Sequence, residues 1–293
     1  MLFDLQSPRR RRVIRVTFGA LAAVFAISFV FLGVGTGGSG FSISDLFGSG
    51  GGSSGSSAFD DDINAAEDKL AINPNDRAAL AELVTLHYQA GTQEVQVDQD
   101  TGRQSLTSDG KQQFAESVDA WSKYKKVSGD QAARGPASIA YQAYYALAQA
   151  DFSEAVQSSS VSEQLTGLQS TVTDLKGAAG AQAVVAAAQP SVANWAKVAD
   201  AYYLAGDTQG AQQAIAEATK VDPKNGAKLE QQLKGSRDQG VKFTKAIDQL
   251  TKQQQAIQGA GATGGGATGG GAAGGGNPLN GLGGGLGGTG SGF

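Results

Sequence analysis

Residues 194–223 read NWAKVADAYYLAGDTQGAQQAIAEATKVDP. Trp195, Val198, Ala199 and Tyr202 recur at i, i+3, i+4 and i+7, one face of a helix. Gly206–Asp207 breaks the pattern, because glycine tolerates the backbone of a helix end and aspartate starts a new helix well. Ala211, Ile215 and Ala218 form a second apolar stripe, and Pro223 closes the unit. The small side chains of Ala199 and Ala211 allow close approach. The stretch therefore predicts two short antiparallel helices joined by a tight turn.

The same order of residues occurs twice more. After Pro74 the chain reads NDRAALAELVTLHYQAG, with Leu80, Leu83, Val84, His87 and Gly91 in the corresponding slots. His87, the only histidine, stands where Tyr202 stands and reads as a core residue. The preceding INAAEDKLAINP fits the second helix of another pair. A weaker copy is ASIAYQAYYALAQADFSEAV, with Ala143, Ala150 and Ala155 in small-residue slots and a turn expected at Asp151–Phe152. The slots filled by Trp195, Val198, Ala199, Tyr202, Gly206, Ala211, Ala218 and Pro223 resemble a tetratricopeptide (TPR) repeat. That resemblance implies an all-α, TPR-like solenoid of antiparallel helix pairs over residues 58–257.

Two stretches depart from the repeat. Residues 92–110, TQEVQVDQDTGRQSLTSDG, are a polar insertion. QEVQVD and RQSLT around a DTG turn predict a small β-hairpin; a plain elongated loop is the alternative. Helical periodicity resumes at FAESVDAWSKYKKV, with Phe114, Val118, Trp121 and Tyr124 as its stripe. Residues 161–189 read as helical but off-pattern. Residues 224–257 predict a polar terminal helix that caps the last pair, whose outer face would otherwise be bare.

The ends differ in kind from this body. Residues 1–12 are basic, and Val16–Val34 carries no charge. Nineteen helical residues span roughly 28 Å, close to the ~30 Å hydrocarbon core. Residues 13–34 thus read as a transmembrane helix contacting the lipid bilayer; a cleaved secretory leader is the alternative. Arg9, Arg10, Arg11, Arg12 and Arg15 place residues 1–12 in the cytoplasm and the rest outside it. Residues 35–57 are a Gly/Ser linker. Residues 258–293 are Gly-rich and read as a disordered tail. Leu279, Leu282, Leu286 and Phe293 are the tail's only large apolar groups, which also suits a sticky terminal peptide.

Composition excludes several functions. The 293 residues carry a net charge of −4 with 43 glycines and no cysteine. The first 15 residues hold five arginines and one aspartate, so the body is more acidic still. An acidic body with no basic stripe is a poor match for nucleic acid. No cysteine and one histidine remove thiolate and multi-histidine metal sites, and no catalytic string occurs. The acidic run Asp60–Asp62 suits a helix N-terminus electrostatically better than a cation site. An enzyme is not expected, nor a cofactor or a metal.

The TPR resemblance implies instead a protein- or peptide-binding groove lined by the first helix of each pair. By slot that face holds Ala81, Thr85 and Tyr88, then Ala196, Asp200 and Tyr203. Thr85, Tyr88, Asp200 and Tyr203 are the expected partner contacts; half-buried packing is the alternative for the two tyrosines. The lysines and asparagines of a carboxylate clamp are missing. The layout is similar to bacterial membrane-anchored TPR proteins, implying an extracytoplasmic scaffold or adaptor for secretion or envelope assembly. A structural envelope spacer acting through its Gly-rich tail is the competing expectation.

Overall fold

The computed structural model describes residues 59–97, 104–262 and 279. The expected basic N-terminus, membrane segment 13–34, linker 35–57 and all of the tail beyond Ala262 except Leu279 lie outside the described residues. Among the described residues no helix is long and apolar enough to cross a membrane.

The described chain is all-α apart from one hairpin. Helix α1 (Asp60–Ile72) pairs with α2 (Arg77–Gln93). Strands β1 (Val95–Val97) and β2 (Gln104–Leu106) follow, then α3 (Ser108–Ser128). Next come α4 (Arg134–Gln157), α5 (Val161–Ala188), α6 (Val192–Leu204) and α7 (Thr208–Val221). Two single turns, α8 (Pro223–Gly226) and α9 (Leu229–Gln232), lead into α10 (Lys234–Ala262). Each helix from α1 to α7 packs against its chain neighbour, so the fold is a helical-repeat-like array.

Short polar caps set these boundaries. The carboxylate of Asp76 accepts from the amides of Ala78 and Ala79, and that of Asp207 from Gly210 at 2.8 Å. Ser160 and Ser191 do the same for α5 and α6, and Thr107 for α3. Each cap satisfies amides that have no partner inside the helix. Pro136 and Pro223 sit in first turns, and Pro74 and Pro190 in connections, as expected of proline. Asp60, Asp61 and Asp62 form the first turn of α1, where the helix dipole favours them.

The expected pair at 194–223 is present as α6 and α7. Val198, Ala199, Ala211 and Ala218 are buried between them, and Gly206 makes the turn at φ 74°. The hairpin in the 92–110 insertion is present too, with Val95 opposite Leu106. It leaves α2 and α3 packed as a pair, Ser117 donating from α3 to the Val84 carbonyl at 2.7 Å. His87 is a core residue, its Nδ1 2.8 Å from Gln113 Oε1.

One expectation fails. No turn occurs at Asp151–Phe152: α4 runs on to Gln157. Ala150 stands where the later pair has Gly206, so nothing there requires a left-handed backbone, and alanine propagates the helix. Asp151 is buried and paired with Lys111 of α3 at 2.6 Å. With 24 and 28 residues, α4 and α5 are about twice as long as α6 and α7. Small residues let this long pair close: Ala137, Ala140, Ala143, Ala148 and Ala155 are buried on α4. A Cβ at Gly177 would lie 2.4 Å from the Tyr144 ring, and one at Gly167 2.8 Å from Ala155 Cβ.

Helix α10 does not extend the array beyond α7. It packs on α6 and α5 through Phe243, Ala246 and Leu250, joining Ala148, Leu165, Leu168, Leu175 and Leu204. The terminal helix thus lies against both α5 and α6, with Ala148 of α4 in the same cluster. Leu279 is buried in the same cluster.

Candidate functional site

Hydrogen bonds at an offset of 54 or 55 residues link successive units of the array, and two of them run directly between the first helices α2, α4 and α6. Tyr88 on α2 donates to Gln142 Oε1 on α4 at 2.9 Å, across 54 residues. Tyr145 on α4 donates to Asp200 Oδ2 on α6 at 3.4 Å, across 55 residues. Arg77 at the start of α2 donates to the Gln131 side chain at 3.2 Å and to its carbonyl at 3.1 Å. Arg134 at the start of α4 donates to the Gln189 side chain, across 55 residues. Tyr88 and Tyr145 are therefore equivalent positions, as are Gln142 and Asp200. The spacing between first helices is longer than a 34-residue repeat because the hairpin and the long α4–α5 pair add chain.

Of the four residues singled out from sequence, Tyr88 and Asp200 belong to this ladder, and Thr85 and Tyr203 do not. Thr85 is half-buried, its hydroxyl donating to the Ala81 carbonyl one turn back at 3.2 Å. Tyr88 is half-buried, its ring centroid 5.5 Å from that of Phe114. Burial raises its hydroxyl pKa. Asp200 also accepts from Ser236 of α10. Burial raises its pKa, opposed by the Ser236 and Tyr145 hydrogen bonds. Tyr203 is 1% exposed, packed in the core with Leu229 and Leu233, and among the described residues its hydroxyl has no hydrogen-bond partner. A residue so enclosed has no surface to offer a docking chain.

Thr85 and Tyr88 thus lie together at the α2–α4 end, and Asp200 joins them through Tyr145 and the α4 face. Sequence reasoning missed Gln142, Tyr145 and Tyr141. Tyr141 and Tyr145 rings lie 5.2 Å apart, and burial, then the Asp200 charge, raises the Tyr141 hydroxyl well above its usual range. Applying the slots of the two clearer copies to the weak third one would have found them: Thr85, Gln142 and Asp200 align, as do Tyr88, Tyr145 and Tyr203. The misplaced turn at Asp151 hid that alignment.

A second polar cluster lies near the α4–α5 turn. Lys111 Nζ is 2.6 Å from both Asp151 Oδ1 and Glu154 Oε2, beside an open concavity of about 350 Å³. Asp174 hydrogen-bonds to Asp151. Burial first, then the Asp151 charge, pushes its carboxyl up to about 7, against the pull of Lys111. In the unfolded chain an aspartate titrates near ~3.9. Between about 4 and 7 the folded chain therefore holds the extra proton, and this contribution is lost as pH rises through that window. Asp174→Asn keeps the neutral hydrogen-bonding form at every pH. Its Tm is expected to exceed that of the parent by ~3–6 °C at pH 8 and to match it near pH 4. A thermal melt at pH 8 with the variant at or below the parent overturns this. Among the described residues no three metal-ligating side chains gather.

No protein-family model, curated protein or solved structure matches this chain.

Proposed function

We propose that this chain is a membrane-anchored, TPR-like scaffold that binds an extended protein or peptide segment outside the cytoplasm. The observation that carries the reading is the row of half-buried polar and aromatic groups on alternate helices. Thr85 and Tyr88 on α2, Tyr141, Gln142 and Tyr145 on α4 and Asp200 on α6 follow one another along one face. A segment crossing the helices there meets tyrosine rings for apolar contact and side-chain carbonyls for its amides, the combination that anchors peptides at interfaces. At the α6 end α10 covers the row, so the accessible part is the α2–α4 face. The membrane segment read over 13–34, with its arginines on the N-terminal side, supports the anchor and the orientation. Secretion or envelope assembly is the setting that fits.

Topology is the first test. The chain has no cysteine, so Thr208→Cys, exposed at the start of α7, introduces one thiol. Labelling by a membrane-impermeant maleimide in intact cells is the expected result. Labelling only after lysis overturns the orientation. Crosslinkers placed at Thr85 and at exposed Val221 then test the groove: adducts from the first position and not the second are expected, and equal yields overturn the face assignment.

A further inference from the structure

We propose that the concavity between the α6–α7 turn and α10 is a binding site for a phosphate group, either the free ion or the group carried on a small molecule. The inference is independent of the α2–α4 groove.

Helix α10 is basic in an acidic chain. Lys234, Arg237, Lys242, Lys245 and Lys252 outnumber Asp238 and Asp248 on it, whereas the whole chain carries −4. Arg237, Val241, Thr244 and Lys245 stand at i, i+4, i+7 and i+8, one face of the helix, and line the concavity from the α10 side. Tyr203, Gly206 and Thr208 line it from the end of α6 and the start of α7, and the space between is about 280 Å³. No carboxylate is among these lining residues. Helix α7 begins at Thr208, so the positive end of its dipole adds to the field there, while Asp207 caps its Gly210 amide.

The donors of this site have capacity to spare. Among the described residues Arg237 has one ion pair, to Glu230 at 3.2 Å, and Lys245 has none. The Tyr203 hydroxyl is buried without a hydrogen-bond partner among the described residues. It lies in the fields of both members of that pair: burial, then Glu230, raises its pKa, and Arg237 lowers it. An unpaired buried hydroxyl is unfavourable, and an anionic oxygen beside Arg237 satisfies it. The guanidinium, on a side chain 35% exposed, can turn to admit that oxygen. Donors on α6, α7 and α10 thus reach one space from different elements. That arrangement suits the tetrahedral oxygens of phosphate better than the planar pair of a carboxylate.

The test uses the full-length protein in a phosphate-free maltoside detergent. With a Kd of about 1 mM, about 10 mM inorganic phosphate raises the Tm by ~3–6 °C relative to sodium chloride of equal ionic strength. Glycerol 3-phosphate at the same concentration separates the sources: a larger shift assigns the site to a carried phosphate group, and a smaller one to the free ion. Acetate should give less than half the phosphate shift. Arg237→Gln and Lys245→Gln should each weaken binding at least 10-fold and remove most of the shift. Lys252→Gln, on α10 but outside the concavity, should keep it. Tyr203→Phe should melt at or above the parent without phosphate and lose part of the shift with it. Equal melting in phosphate and chloride overturns the site, as does a shift unchanged in R237Q and K245Q. Acetate matching phosphate overturns the choice of phosphate, and a full shift in Y203F overturns the part given to the hydroxyl.

Discussion

Gly240→Ala is expected to unseat α10 and to lower stability by about 3 kcal/mol or more, because the added methyl meets backbone. A Cβ at that position would lie 1.8 Å from the Tyr203 carbonyl oxygen and 3.0 Å from the Gly206 amide nitrogen. A flexible side chain could move aside. The carbonyl cannot, since it belongs to the last turn of α6 and Gly206 holds the following turn at φ 74°. Gly206 is itself crowded: a Cβ there would reach within 2.6 Å of Thr244 Oγ1 on α10. For a domain near 200 residues, about 3 kcal/mol corresponds to a Tm loss of ~6–12 °C. Gly180→Ala is the internal comparison. Gly180 lies inside α5 with nothing within 4 Å of the added carbon. There the change removes only the entropic cost of a helical glycine and should stabilise by about 0.5–1 kcal/mol. Thermal melts of the two variants should therefore move in opposite directions. Movement in the same direction overturns the close approach of α10 to α6.

Trp121→Ala is expected to be as damaging, by about 3–5 kcal/mol, through the cavity it leaves. Trp121 is 2% exposed in the cluster that joins α1, α2, α3 and α4, with Ile63, Leu80, Leu83, Val84, Tyr124 and Ala137. Its ring lies 5.8 Å from that of Tyr124, whose hydroxyl accepts from the Ala133 amide at 3.0 Å. Loss of the indole therefore also loosens the entry to α4. In an array where each pair leans on its neighbours, damage stays local. Amide exchange of W121A should accelerate in α2 and α3 more than in α6 and α7. Uniform acceleration would mean that the array unfolds as one unit and that the locality argument is wrong.

The contrast between α6–α7 and α4–α5 shows what the sequence carried. The shorter pair was legible because its turn needs Gly206, its second helix starts on the Asp207 cap, and its apolar stripes have helical spacing. All three are local signals. The longer pair is misread at Asp151 because an aspartate can serve either of two purposes. After glycine it caps a helix; after Ala150 it is a buried acid whose partner, Lys111, lies on another helix. That pairing is tertiary and leaves no mark in the local pattern. For the candidate site, Thr85, Tyr88, Asp200 and Tyr203 were found by slot. Tyr145 and Gln142 were lost with the misplaced turn, and the enclosure of Tyr203 depends on where α8–α10 return. Leu279 was visible only as an apolar group in a Gly-rich tail.

The ladder of tyrosines has a terminus. Tyr88 and Tyr145 each donate to the next first helix, at Gln142 and Asp200, whereas Tyr203, the third in the series, has a buried hydroxyl with no acceptor among the described residues. In the language of polymers it is an unreacted end group. The array keeps the bonding rule by which another unit would be added, and α10 stops growth by lying against α6 where that unit would begin. Lengthening by duplication would require only a helix pair that carries a glutamine or aspartate at the accepting slot and an α10 moved one unit along. In this chain α10 thus takes the place on α6 where a further first helix would lie.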